Sequence, residues 1–217
     1  MSRTIAFGDI HGMYDHFQEL LDFINILKDD KLIFLGDYCD RGPDTRLVIE
    51  TLIALQLKFD AVCIKGNHEE MMLSASQSEE GQAWLGYGGW ETLESYGGSF
   101  DDVPESHIFF MEDCIDYYED DTFIYVHASV QPDLEMRDQD IYHLRWSHVD
   151  FLVEPHKSGK TVICGHSSQK SGEILDREYV TCIDTWCCGG KNLTAYNPYN
   201  RQVWQVDGLM QNRTYIL

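Results

Sequence analysis

Residues 4–12 read TIAFGDIHG, an apolar run that stops at Phe7 and gives way at once to Gly8, Asp9, His11 and Gly12. Thr4 to Phe7 suit a buried strand, because β-branched and aromatic side chains pack well on a pleated surface. Glycine on both sides of the polar pair lets the backbone turn sharply and lets another group come close. In extended chain Asp9 and His11, two positions apart, point to the same side. One such pair is either a turn or half of a metal site, and on its own it leaves both open.

The pattern recurs. LIFLGDYCDRG (32–42) and AVCIKGNHE (61–69) are again apolar strands that end in glycine and polar residues. Between the first two, Phe17, Leu20, Leu21, Ile24 and Leu27 return at helical spacing. Pro43 suits the first turn of a helix, which Leu47, Val48, Thr51, Leu52 and Leu55 continue. Three β-α units in series imply a layered α/β fold, and such folds place ligands at the carboxyl ends of their strands.

Beyond this third of the chain, WLGYGGWETLESYGG (84–98) marks an irregular insertion at about 74–100 with one or two short helices. A helix is expected from about Pro104 to Tyr118. FIYVHAS (123–129), TVICGHSS (161–168), REYVTCIDT (177–185) and VWQV (203–206) read as further strands. The tail from Gly189 to Leu217 alternates turn signals and strand residues, as a closing antiparallel sheet would. With no linker, repeat or low-complexity tract, residues 1–217 are expected to form one domain.

Composition narrows the function. The 217 residues are 43% hydrophobic, enough for a sizeable core, but carry a formal charge of -21. That charge argues against nucleic-acid polymers and anionic membranes as partners, since both call for clustered Lys and Arg. A solvated acidic surface accounts for most of the excess, and bound cations would neutralise part of it. No secretory signal precedes the first strand and no run is long enough to span a bilayer. Seven cysteines, several inside apparent strands (Cys63, Cys164, Cys182), fit a reduced, cytoplasmic protein without a disulfide framework. Cys187 and Cys188 are adjacent and lack zinc spacing.

Five strand ends carry one signature: GDIHG, GDYCDRG, GNHE, VHAS and CGHSS. Together they are hard to assign to structure, because each buries polar groups that need partners. They offer Asp9, His11, Asp37, Asn67, His127 and His166 as ligands. This mixture of carboxylate, imidazole and amide suits two divalent metal ions with one carboxylate bridging, Mn2+ before Fe or Zn, rather than calcium.

The order and spacing of GDIHG, GDYCDRG and GNHE, continued through VHAS, CGHSS and CIDTWCCGG, resemble the phosphoprotein phosphatase family of calcineurin-like dinuclear metallophosphoesterases. The size and the 84–98 segment are most similar to small bacterial and phage serine/threonine phosphatases and to diadenosine tetraphosphate hydrolases. The resemblance implies a layered β-sandwich of mixed sheets flanked by helices. It implies that Asp9 and His11 hold one metal, that Asp37 bridges, and that Asn67, His127 and His166 complete the second. It implies that Arg41 binds substrate phosphate, that His68 protonates the leaving oxygen and that Asp40 orients His68.

Elementary chemistry agrees with those roles. Paired divalent ions make hydroxide available near neutral pH, and hydroxide can attack phosphorus in line. Arginine's planar fork matches phosphate oxygens, and a histidinium held by a carboxylate can give a proton to the departing alkoxide. Glu69 is expected to start a helix or support the site rather than react, and Asp184 to support it rather than bind metal. Family members commonly carry a second phosphate-binding arginine just after a tryptophan. Here HLRWSHVDF (143–151) places Arg145 before Trp146 and His148 in the arginine's position, so Arg145 is expected to supply the contact from a shifted register.

The expected activity is hydrolysis of phosphomonoesters, with phosphoserine and phosphothreonine in phosphoproteins or phosphopeptides as substrates. The alternative is a dinucleoside polyphosphate hydrolase, a nucleotide enzyme for which Trp84, Tyr87 and Trp90 offer a clamp for the base, although the same three residues equally suit a core or cover role. A third possibility, a binding protein on a phosphatase scaffold, should have lost ligands or the acid, and none is missing.

Overall fold

The computed structural model describes residues 3–75 and 81–217. The first third is three strand-helix units: β1 (Thr4–Phe7), α1 (Tyr14–Ile24), β2 (Lys31–Phe34), α2 (Thr45–Lys58), β3 (Asp60–Cys63) and α3 (Asn67–Ala75). There follow α4 (Gly81–Trp84), a helical segment kinked at Gly88 (Leu85–Gly89), α5 (Trp90–Tyr96) and α6 (Glu105–Asp113). Part of the expected insertion, residues 76–80, lies outside the described residues.

The second half supplies β4 (Tyr117–Glu119), β5 (Phe123–Val126), α7 (Ile141–Trp146), β6 (Thr161–Cys164), β7 (Leu175–Arg177) and β8 (Val180–Cys182). The chain then closes with β9 (Leu193–Asn197), β10 (Gln202–Val206) and β11 (Asn212–Ile216). These strands make two mixed sheets, ordered β11-β10-β9-β1-β2-β3 and β4-β5-β6-β8-β7.

Alternation along the strands explains the layering. Ile5 and Phe7 of β1, with Leu32 and Phe34 of β2, face the helices, whereas Ala6 and Ile33 face the second sheet. In β5, Phe123 and Tyr125 meet that inter-sheet core while Ile124 and Val126 point outward under Val130, Leu144 and Val149. Strands buried on both faces read as unbroken apolar runs, as these do. Phe7 stacks on Phe34 at 4.7 Å, and Phe17 of α1 meets Phe7 edge-on at 6.3 Å.

Register then positions the site. Phe7, Phe34 and Cys63 are paired across parallel β1, β2 and β3, and Val126, Cys164 and Cys182 are paired across parallel β5, β6 and β8. The carboxyl ends of each trio therefore stop at one level and release their loops together.

Three expectations about elements shift. The helix expected from Pro104 to Tyr118 runs only to Asp113. Beyond it, Ile115 exchanges backbone hydrogen bonds with Cys63 and Lys65, and Tyr117–Glu119 pair with β5. Sheet pairing captures residues whose apolar spacing also suits a helix. Pro43 precedes α2, which starts at Thr45. REYVTCIDT is a hairpin, with β7 ending at Arg177 and β8 starting at Val180. The tail is the antiparallel sheet expected of it. All seven cysteines are free, and Cys63, Cys164 and Cys182 are buried in strands.

Candidate functional site

The loops after six strands converge. Those after β1, β2 and β3 bring Asp9 and His11, then Asp37, Asp40 and Arg41, then Asn67 and His68. Those after β5, β6 and β8 bring His127, His166 and Asp184. Apart from Arg41, which is exposed, and His166, which is half-buried, all are buried. His11, Asp37, Asp40, Arg41 and His166 all have positive φ, between 46° and 71°. Non-glycine residues rarely adopt this conformation, at a cost of roughly 1–3 kcal/mol each, and it clusters where surrounding structure enforces it for function.

Close approach is enforced by glycine. A Cβ at Gly66 would lie 2.2 Å from Asp37 Oδ1, and one at Gly165 would lie 2.1 Å from Asp9 Oδ1. No larger residue fits either place without displacing a carboxylate.

Asp37 stands at the centre of two donor sets. His11, Asp37 and His68 form one and Asp37, His127 and His166 the other, each with its ligand atoms within 4.8 Å of one another. The backbone sets the imidazoles. His11 Nδ1 donates to the Cys39 carbonyl and His127 Nδ1 to the Leu35 carbonyl, both at 2.8 Å, so each presents an Nε2 lone pair inward. His166 is held the other way round, Nε2 donating to the Trp146 carbonyl at 3.1 Å.

The inward atoms are acceptors facing acceptors. His127 Nε2 lies 3.0 Å from Asn67 Oδ1 and 3.2 Å from Asp37 Oδ1, and His166 Nδ1 lies 3.1 Å from Asn67 Oδ1. Turning the Asn67 amide would give the two imidazoles a donor, yet His127 Nε2 would still face Asp37. Lone pairs so arranged repel unless a cation lies between them, and backbone carbonyls that fix the ring tautomer are characteristic of metal-binding histidines. Asp9 accepts the His166 N–H at 3.1 Å and lies among carboxylates. The residues present therefore fit a pair of divalent cations.

Electrostatics separates the imidazoles. Burial pushes His11 well below its ordinary value, with His68 and Arg41 adding to the fall against Asp37. Burial, then His127, pulls His166 down to about 4. Both are neutral, ligand-ready rings near pH 7. His68 goes the other way: burial opposes its charge, but the Asp37 and Asp40 carboxylates outweigh burial and raise it. Burial also opposes Asp37's charge, and His127, His68 and His11 together hold it below the usual carboxylate range. Asp9 is raised by burial and then by Asp184 and Asp37. Buried carboxylates crowded this way call for positive charge.

His68 and Arg41 line the same centre. His68 Nδ1 donates to Asp40 Oδ2 at 2.6 Å. The Arg41 guanidinium donates through Nη1 to His11 Nε2 and through Nη2 to His68 Nε2, both at 2.7 Å. Arg145 is placed elsewhere, its terminal nitrogens engaged by Glu70 (3.1 Å) and by Asp116. Trp146 Nε1 donates to the same Glu70, so this ion pair anchors the end of α7 whose carbonyl holds His166. His148 is half-exposed beside the site, its ring 6.4 Å from that of His166 and paired with Asp150.

Glu69 supports the whole β2 loop. Its buried carboxylate accepts the N–H groups of Asp37, Tyr38, Cys39 and Gly66 at 2.8 to 3.3 Å. Asp184 accepts from Ser168 Oγ and the Trp186 N–H. Residues that the sequence reading passed over as site components are Thr92, which binds Asp40, and Glu70. Trp84, which the sequence offers either as a core residue or as a nucleotide clamp, is buried and turned inward onto Asp40.

Residues 2–191 match the calcineurin-like phosphoesterase family. The chain belongs to this family. The chain is 43% identical over 83 residues to serine/threonine-protein phosphatase 2 of Escherichia coli (strain K12), covering 38% of this chain and 36% of that one. It is 40% identical over 90 residues to the symmetrical bis(5'-nucleosyl)-tetraphosphatase of Legionella pneumophila (strain Lens), covering 41% and 30%. The matched stretch thus spans about a third of each curated relative's length. A crystal structure of a proposed diadenosine tetraphosphatase superposes with a TM-score of 0.68 at 18% identity, covering 99% of this chain and 93% of that one. At that identity the likeness shows the shared fold. Among the described residues no helix is long and apolar enough to cross a membrane.

Proposed function

We propose that the chain is a metal-dependent phosphatase that hydrolyses phosphomonoesters, with phosphoserine and phosphothreonine in proteins as substrates. The observation that carries this reading is the position of Asp37 in two donor sets, with Arg41 and His68 against the same centre. Asp9, His11 and Asp37 would hold one divalent cation, and Asp37, Asn67, His127 and His166 a second. Mn2+ suits this donor set, and Fe or Zn are the alternatives. Such a pair, when bound, would supply Lewis acidity to phosphate oxygens and a potent oxygen nucleophile near neutral pH.

The chain's own groups do the rest. Arg41 presents two parallel donors that match two phosphate oxygens. Once they engage phosphate, they leave His68 Nε2 free to carry a proton. His68, raised by Asp37 and Asp40, gives that proton to the departing alkoxide, and Asp40 fixes its ring and balances the charge. The buried thiols, pushed up by burial, fit no nucleophilic role and suit a reducing compartment such as the cytoplasm.

A second reading, hydrolysis of dinucleoside polyphosphates, draws on the nucleotide-cleaving relative and on Tyr87 and Trp90. Both are more than half exposed in the segment that touches Arg41. The scarcity of free cations weighs against a long anionic substrate. Protein dialysed against a chelator and reloaded with Mn2+ should cleave phosphoserine and phosphothreonine peptides faster than diadenosine tetraphosphate. The reverse order would favour the second reading, and no cleavage of either by metal-loaded protein would refute both.

A further inference from the structure

Asp40 and Arg41 are consecutive residues in the left-handed region, with φ of 71° and 70°. For L-residues that conformation is sterically disfavoured, and it persists only where neighbours hold it. Here one segment remote in sequence, residues 84–92, holds both. Trp84 Nε1 donates to the two Asp40 carboxylate oxygens at 3.1 and 2.9 Å. Thr92 Oγ1 donates to Asp40 Oδ1 and accepts the Asp40 N–H, each at 2.8 Å. Its remaining capacity meets the Thr45 hydroxyl at 3.1 Å. The Gly88 carbonyl accepts the Arg41 N–H at 3.1 Å.

The grips are themselves fixed. Trp84 and Thr92 are buried, and a buried indole N–H needs a partner; Asp40 is the one it has. A Cβ at Gly89 would lie 2.4 Å from the Trp84 ring, and the ring meets Phe100 edge-on. Gly88 has φ 108°, and a Cβ there would lie 2.5 Å from the Arg41 nitrogen. Gly88 is a non-helical kink between the helical turns on either side of it, which turns its carbonyl toward the Asp40–Arg41 segment.

We propose that residues 84–92 clamp the Asp40–Arg41 turn. In this scheme Trp84 and Thr92 are positioning residues for the Asp40–His68 proton donor, and Gly88 is the positioning residue for the phosphate grip of Arg41. The proposal rests on the phosphoesterase reading above. It makes a separable demand on the chemistry, because a leaving group needs a proton in proportion to its basicity. Nitrophenolate departs from p-nitrophenyl phosphate unaided, whereas the more basic phenolate of phenyl phosphate requires His68. In either reaction water's oxygen bonds to phosphorus, the P–O(aryl) bond breaks and the water gives up a proton to solvent; phenolate leaves with a proton taken from His68, which solvent then restores, and nitrophenolate leaves without one.

The test uses full-length, Mn2+-loaded Thr92→Val, which keeps side-chain bulk, and Trp84→Phe, which keeps an aromatic ring but not the full indole volume; each loses a donor, and metal content and melting temperature are measured alongside. Turnover of phenyl phosphate should fall about 10- to 100-fold and that of p-nitrophenyl phosphate less than about threefold. Thr92→Ser, which keeps the hydroxyl, should restore the wild-type ratio of the two rates. Gly88→Ala should raise KM and weaken inhibition by inorganic phosphate more than it lowers kcat. Equal losses on both esters, or an unchanged ratio in both donor-deleted variants, would overturn the clamp while leaving the phosphatase reading intact. Wild-type protein inert on both esters would overturn the phosphatase reading, and the clamp with it.

Discussion

Replacing Glu69 by Gln removes one charge and almost no volume, and the structure says what it should cost. Oε2 accepts the N–H groups of Asp37 and Gly66, both at 2.9 Å, while Oε1 accepts those of Tyr38 and Cys39 at 2.8 and 3.3 Å. An amide has a single acceptor oxygen, so either orientation turns an NH2 toward two buried backbone donors. At about 1.5–2 kcal/mol for each lost bond to a charged acceptor, the penalty is about 3–4 kcal/mol. For a chain of this length that lowers the melting temperature by roughly 6–16 °C. The same bonds hold Asp37 at φ 53°, so divalent-metal affinity should fall with stability. The assay is thermal unfolding followed by circular dichroism, with metal content measured on the same samples. Glu70→Gln is the control: its partly exposed carboxylate binds Arg145 and Trp146, and its loss should cost less than about 1 kcal/mol. A Glu69→Gln protein melting within about 2 °C of wild type would refute the claim that this carboxylate braces the loop.

Other consequences are simpler. Asp37→Asn should lose bound metal and activity together, since its two oxygens serve both donor sets, and full metal content in that variant would contradict the shared role. Arg41→Ala should weaken inhibition by inorganic phosphate roughly 10-fold or more, the worth of one charge-assisted contact, and an unchanged inhibition constant would remove Arg41 from the phosphate site. Asp30 is pulled upward by burial, but hydrogen bonds from Arg3 and the Leu27 N–H outweigh this and hold it below its ordinary value. Its contribution to stability is therefore complete above the unfolded carboxylate value, near 3.9, and is lost as pH falls through the lower folded value. Asp30→Asn should destabilise the protein at pH 7 and narrow that gap in acid, as urea unfolding at both pH values would measure.

What could be read from the chain alone divides along physical lines. Asp9, His11, Asp37, Asn67, His127 and His166 are legible because each follows an apolar strand by one to four residues, and parallel pairing brings such ends to one level. The clamp on Asp40 was not legible, since Trp84 and Thr92 lie 44 and 52 residues away from it and no local pattern encodes that distance. The same holds for Arg145, whose place is set by Glu70 and Asp116 on distant elements. Backbone strain at His11, Asp37, Asp40, Arg41 and His166 carries no sequence signal either, because positive φ announces itself only when glycine supplies it. The end of α6 was misread because residues 114–119 satisfy helical spacing and strand pairing alike, and pairing with β3 and β5 decides.

The proposed chemistry depends on two divalent cations sharing Asp37 at one centre. Electron paramagnetic resonance of Mn2+-loaded, gel-filtered protein, combined with metal analysis, addresses this directly. The geometry predicts two manganese ions per chain with the spectrum of an exchange-coupled pair. One ion per chain, or two that are magnetically isolated, would contradict it.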